Sequence, residues 1–177
     1  MRAAFGLLAF AALLAGCTAQ APGGPEPASK PPNFSAPPPL FGAWRSSIDV
    51  KSGAFTAAKG LEFMYVFHND GTLTESSNYD AAPPVPPAYG VWRSVPGNGA
   101  VFEAKYEFFT TAAPLPEEFK AGAGWLPSGR GVFTERITVA PDGKTFTTTI
   151  RYELFDKDGR AVEGGGEAAG RGVRIDF

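Results

Sequence analysis

Val101-Phe102-Glu103-Ala104-Lys105-Tyr106-Glu107-Phe108 decides the fold. Phe102, Ala104, Tyr106 and Phe108 share one parity; Glu103, Lys105 and Glu107 share the other. A period of two is a strand with one dry and one wet face. On a helix, at about 100° per residue, the same rings would scatter around the axis. Pro96-Gly97-Asn98-Gly99 stands directly before this stretch and supplies a tight turn, because Gly and Asn tolerate positive φ. The stretch therefore folds back on the segment that holds Trp92.

The same pattern repeats along the chain. Phe63, Tyr65 and Phe67 alternate with Glu62, Met64 and Val66, turn at Asn69-Asp70-Gly71, and continue through Leu73. Phe133, Ile137 and Val139 lead to a turn at Pro141-Asp142-Gly143. Phe146, Thr148, Ile150, Tyr152 and Leu154 follow, opposed by Thr147, Thr149, Arg151 and Glu153, and Asp158-Gly159 turns the chain again. Eight strands are predicted, at about 42–50, 61–68, 72–78, 88–95, 100–111, 131–140, 144–155 and 160–176. Short turns join most neighbours, so the fold class is all-β, an antiparallel up-and-down meander. Eight such strands close into a barrel, and closure leaves no edge to aggregate. No long amphipathic helix interrupts them.

Gly164-Gly165-Gly166-Glu167-Ala168-Ala169 formally matches a dinucleotide fingerprint, but only eight residues follow Ala169. A βαβ unit does not fit there. Glycines in a last strand instead signal a bulge, a bend or close approach of another backbone. Two connections are long. Ser76–Ala88 contains Pro83-Pro84-Val85-Pro86-Pro87. Ala112–Arg130 contains Leu115, Phe119, Trp125 and Leu126, with a helical turn near 117–121. Apolar loops of this length either act as a lid or partner contact, or fold back over the core.

The amino-terminal end reads differently. Met1-Arg2 is followed by thirteen residues without a polar side chain, Ala3–Ala15. This is the layout of a secretion signal, and it is too short to span a bilayer, which takes about 20 residues. Leu14-Ala15-Gly16-Cys17 resembles the lipobox of bacterial lipoproteins. The resemblance implies cleavage after residue 16, a diacylglyceryl thioether on Cys17 and acylation of the new amino terminus. Cys17 is the chain's only cysteine, so the domain holds no disulfide and no cysteine metal site. From Thr18 to Pro39 there are eight prolines and one large apolar residue, Phe34. Such a segment buries too little to fold and extends at about 3.1 Å per residue as polyproline II. The expected organisation is a signal peptide at 1–16, lipidated Cys17 and a Pro-rich linker at 17–39, and a barrel at 40–177. Thr18, where Asp would resemble an inner-membrane retention signal, favours an outer-membrane location in the cell envelope.

Gly42-Ala43-Trp44 opens the first strand. A Gly-x-Trp there, on an eight-strand meander, resembles the lipocalin or calycin superfamily. Tyr89-Gly90-Val91-Trp92-Arg93, the turn Phe67–Thr72 and the closing Gly170-Arg171-Gly172-Val173-Arg174-Ile175 are also similar to small bacterial lipocalin-like domains, over residues 40–177. The resemblance implies that Trp44 closes the barrel floor with an arginine, Arg171 or Arg174, over its ring by cation–π packing. The chain departs from the pattern in leaving no room for a flanking carboxy-terminal helix.

The interior then has two readings. Phe63, Tyr65, Phe67, Trp92, Phe102, Tyr106, Phe108, Phe133, Phe146 and Tyr152 either line an apolar cavity or fill it. The expected function is a membrane-anchored envelope lipoprotein that binds a small apolar ligand. The alternatives are a filled barrel with a structural or protein-contact role, and an isomerase- or cyclase-like enzyme. The enzyme reading needs polar groups inside the barrel, with Tyr65, Tyr89, Tyr106, Tyr152 and Glu103 as candidates. Asp49, Glu62, Glu75, Asp80 and Glu103 carry a weak acid–base signal, since alternation turns several of them to solvent. His68 is the lone histidine, beside a turn, and no HxH or HExxH exists, so neither a metal nor another cofactor is expected. There are 16 Lys+Arg against 18 Asp+Glu, and 15 against 18 once Arg2 leaves with the signal. That balance excludes a nucleic-acid partner, which wants a basic face, and leaves the lipid to hold the membrane.

Overall fold

A computed structural model describes residues 39–79, 86–122 and 124–177. Eight antiparallel strands run in chain order: β1 (Gly42–Val50), β2 (Leu61–Phe67), β3 (Thr72–Ser77), β4 (Ala88–Val95), β5 (Asn98–Ala112), β6 (Leu126–Val139), β7 (Thr145–Asp156) and β8 (Ala161–Arg174). Each pairs with the next, and β8 pairs back with β1, so the sheet is a closed barrel. Burial alternates as the sequence pattern requires. In β2, Leu61, Phe63, Tyr65 and Phe67 face inward while Glu62, Met64 and Val66 face out. The inward set of all eight strands merges into one core.

Rings are accommodated by glycines on neighbouring strands. Phe146 stands opposite Gly172, Phe108 opposite Gly131, and Tyr106 opposite Gly90. A methyl group on Gly172 would lie 2.2 Å from the Phe146 ring, and one on Gly131 would lie 2.2 Å from the Phe108 ring. The missing side chain is therefore the space the ring occupies, a cross-strand device known to support glycine in sheets.

Strand ends shift by up to two residues from the sequence expectation, except at β6, which gains five residues at its start. β6 starts at Leu126, because a bulge between Thr110 and Thr111 lets pairing continue as Thr111↔Pro127 and Ala112↔Leu126. The long connection shrinks accordingly. It holds one short helix, α1 (Pro116–Lys120), begun by a proline in the position helices favour. Leu115, Trp125 and Leu126 are exposed there and cover no core. The expected signal peptide, Cys17 and the expected linker up to residue 38 lie outside the described residues, as do Asp80–Val85.

One end of the barrel is sealed by Trp44, which is fully buried. Its indole N–H donates to Leu40 O at 2.8 Å. The Arg174 guanidinium lies 4.2 Å from the centre of its ring. Arg174 also donates to Phe41 O at 2.6 Å, to Gly143 O at 2.8 Å and to Pro39 O. Pro39, placed at the linker's end by composition, thus belongs to the seal. Gly42 takes φ of 120°, and a methyl group on it would meet Arg174 Nη1 at 2.8 Å. That is why glycine precedes Ala43-Trp44. Arg171, the other arginine expected over Trp44, faces solvent on the outer surface, opposite Ser47 and Thr147.

Truncating Trp44 to Ala is expected to destabilise the barrel by about 3–5 kcal/mol, the range for large aromatic residues in a core. Arg174→Lys should also lower the urea midpoint, since an ammonium cannot reproduce the planar fork that reaches several carbonyls. An unchanged midpoint in both variants would contradict this account of the seal.

Candidate functional site

The interior is organised in levels. At the sealed end Phe67, Trp92, Phe102 and Phe146 fill the bore around Trp44; Phe146 lies 5.0 Å from Trp44 and Phe67 6.0 Å from Trp92, centre to centre. At the other end is an apolar cavity of about 40 Å³, bounded among others by Ile48, Phe63, Phe108, Phe133, Tyr152 and Glu75. It holds at most a few waters as it stands.

Its roof is the connection between β1 and β2. Phe55 packs edge-on against Tyr79 at 5.6 Å and tilted against Tyr152 at 5.2 Å. The connection is pinned from below. Tyr152 donates its hydroxyl to Ser52 O at 2.7 Å. Lys51 N and Ser52 N donate to Glu167 O, and Ala54 N donates to Gly164 O at 2.8 Å. Gly53 takes φ of 87°, and a methyl group there would meet Tyr152 Oη at 2.3 Å. A methyl group on Gly166 would meet Ser52 O at 2.1 Å. Gly164 and Gly166 of β8 are thus explained by close approach of this roof.

Between the two ends lies a polar level. Glu135 is 1% exposed and Glu75 5% exposed, and they are the only buried residues with ionisable acids or bases of the Asp, Glu, Lys, Arg or His type among those described. Tyr106 donates to Glu135 Oε2 at 2.9 Å and Tyr65 to Glu135 Oε1 at 3.3 Å. The two hydroxyls are 3.5 Å apart. The Thr148 hydroxyl stands between two acceptors, Arg136 O at 3.1 Å and the Glu135 carboxyl. Glu75 Oε1 is buried without a partner among the described residues. Ser46 Oγ is likewise buried and unpaired by hydrogen-bond geometry, although it lies near enough to Tyr65 to ease the ionisation of its hydroxyl.

Burial sets the protonation of this level. It pushes Glu75 up to about 8, helped by the charge of Glu135. It pushes Glu135 up to about 7, against the opposing pull of the Thr148, Tyr106 and Tyr65 hydroxyls. Burial, then Glu135, hold both tyrosines well above their ordinary range, so they remain donors.

All ten residues expected to line or fill the bore face inward and are buried. Phe63, Phe108, Phe133 and Tyr152 reach the cavity, Tyr65 and Tyr106 form the polar level, and the other four fill the sealed half. Two expected polar groups are not inside. Tyr89 is 66% exposed on the outer face. Glu103 also points outward, bonding Arg93 at 2.9 Å and Arg136 at 3.3 Å. Asp49 and Glu62 are exposed, and Asp49 pairs with Lys51. The His68 ring is exposed, and its carbonyl accepts the Trp92 indole N–H at 3.0 Å. Ala104 faces the bore beside Trp92, and the small residue bordering the cavity is Ala168. Sequence reasoning missed Glu135 and Ser46, and it placed Thr148 on the inward face without giving it a role. Parity held the signal: each lies between inward neighbours, Phe133 and Ile137, Trp44 and Ile48, Phe146 and Ile150.

A larger concavity, about 830 Å³, lies elsewhere, on the outer face of β4–β8, where Arg93, Lys105, Arg136 and Arg151 face solvent. Among the described residues, no three acidic or histidine side chains converge as metal ligands. No family model, curated protein or solved structure matches this chain.

The buried acids make stability depend on pH. An unfolded Glu ionises near 4.3, while Glu75 and Glu135 hold their protons to about 8 and about 7 in the fold. The folded state therefore binds more protons between about pH 4.5 and 8, and stability falls as pH rises through that window. The slope is about 1.4 kcal/mol per pH unit for each group that differs. The groups facing Glu75 are Glu135, Tyr65 and Tyr106, and the tyrosines stay neutral throughout. Urea midpoints should decline from pH 5 to pH 8, and Glu75→Gln should flatten the decline. Parallel curves for the variant and the parent would refute it.

Proposed function

We propose that this chain is a lipid-anchored envelope lipoprotein whose lipocalin-like barrel binds a small apolar molecule at its open end. The observation that carries the reading is the apolar cavity under Phe55 in a barrel whose other end is sealed by Trp44 and Arg174. A ligand enters at the end away from the seal, by displacing the Phe55 ring. Gly53, with positive φ, lies two residues before Phe55, where the roof leaves β1. Binding draws on apolar area removed from water, at about 25 cal/mol per Å², on walls already held rigid by stacked rings. Leu14-Ala15-Gly16-Cys17 supports the anchor, because two or more acyl chains hold a protein on a membrane stably where one does not. Thr18 supports the outer membrane, and the Pro-rich stretch supports a spacer between membrane and barrel.

A filled barrel that works through its outer surface is the second reading. Its support is the density of ring packing, with Tyr106, Phe133 and Phe108 stacked at 5.0 and 5.3 Å. The isomerase- or cyclase-like alternative rests on Glu75 and Glu135 as an acid–base pair.

An environment-sensitive apolar dye should bind saturably with a blue-shifted emission. Phe55→Ala should speed its entry, and Ala168→Leu should weaken binding while the protein stays folded. Absence of saturable binding in the parent and in Phe55→Ala would favour the filled barrel. Separately, Cys17→Ser should abolish labelling by a radioactive fatty acid and release the protein from membranes. Equal labelling of the variant would remove the lipobox reading.

A further inference from the structure

Glu75 is the one acidic side chain bordering the cavity, and its Oε1 has no partner among the described residues. It is 95% buried by surface accessibility, that is, 5% exposed. An acceptor left bare in an apolar enclosure is costly, commonly about 1–3 kcal/mol, unless something else satisfies it. Glu135, on the same level, is already engaged by Tyr65 and Tyr106. It therefore makes the floor acidic without competing for a ligand's donor. No Lys, Arg or His side chain is buried in the bore among the described residues. Arg174 is committed to the seal at the far end, and Arg130 lies over the Phe155 ring beside Glu107.

From this charge pattern we infer that the molecule taken by the cavity is an organic cation, an apolar body carrying a protonated amine that donates to Glu75. The inference rests on the apolar-binding reading and narrows it. A fatty acid would bring a carboxylate toward two acids with no base to receive it. A neutral alcohol or hydrocarbon would gain from area alone. An ammonium gains a charge-assisted bond, and Phe63, Phe133 and Tyr152 line the same cavity with aromatic rings, the side chains that favour cations. Pairing with the cation requires Glu75 to release its proton, so affinity climbs with pH until the free group has ionised, near 8. The other groups facing it, Glu135, Tyr65 and Tyr106, keep the same sign: none becomes cationic.

The test is calorimetric titration of the full chain and of Glu75→Gln with octylammonium, octanol and octanoate between pH 6 and 8.5. Octylammonium should bind at least tenfold tighter than octanol at pH 8, and octanoate weaker than either. Its affinity should rise by up to tenfold per pH unit below pH 8. Titrations in two buffers of different ionisation enthalpy should register release of up to one proton on binding at pH 7. Glu75→Gln should lose the advantage of the amine and keep octanol binding, which also reports that the variant is folded. Should that variant not fold, the proton release and the pH slope of the parent decide alone. Octanol binding as tightly as octylammonium, with no proton release, would overturn the amine inference and leave apolar binding standing. Failure of all three probes, in the parent and in Phe55→Ala, would overturn both.

Discussion

Closure of the sheet at the β1–β8 seam is the constraint on which the rest depends. Hydrogen bonding between strands supplies the ladder, but Arg174 fixes its end. One guanidinium covers the Trp44 ring and reaches carbonyls of Pro39, Phe41 and Gly143, so the entry strand, the last strand and the β6–β7 turn meet at a single charge. An arginine suits this place because its planar fork serves several acceptors while its face lies on an indole. With that end sealed, the bore is a blind chamber. The location of the cavity, the roof above it and the polar floor follow from which end is shut.

The barrel was largely legible in the sequence because its two signals are local. Alternation in segments such as Phe102–Phe108 sets the faces, and Asn69-Asp70-Gly71 or Pro141-Asp142-Gly143 set the returns. The bulge at Thr110/Thr111 was not legible, since no residue type demands it, and so β6 reached further than expected. The site was half visible. Its ten aromatic residues all face the bore. The acid at its centre stayed hidden because Glu135 lies in Thr134-Glu135-Arg136, a run whose composition says solvent while its parity says interior. Composition was the weaker guide. The same conflict explains Glu103: its parity placed it outside, and only the demand for polar groups drew it inward.

The polar level runs against the general economy of a core. Each acid there is kept neutral by its surroundings over much of the physiological range, and a Gln or Leu of similar size would fold more easily. Glu135 is at least enclosed by two hydroxyl donors, so its burial is compensated in part. Glu75 is not. A residue that weakens the unliganded fold and gains only when something arrives beside it is the usual signature of function built at the expense of stability.

The rings seated over glycines bear on how the chain finds its pairing at all. Tyr106 over Gly90, Phe108 over Gly131 and Phe146 over Gly172 each key one hairpin, and Ile48 against Gly170 keys the closing seam. A slip of two residues preserves which face is wet, so hydrophobic pattern alone does not reject it. It would, however, slide Tyr106 from Gly90 onto Ala88 or Trp92, where side-chain atoms already stand. Notches at four interfaces coincide with their rings in the observed alignment. The barrel thereby proofreads its own register sterically, at the moment of assembly, with notches made of glycines that bring no chemistry of their own to the chamber they help enclose.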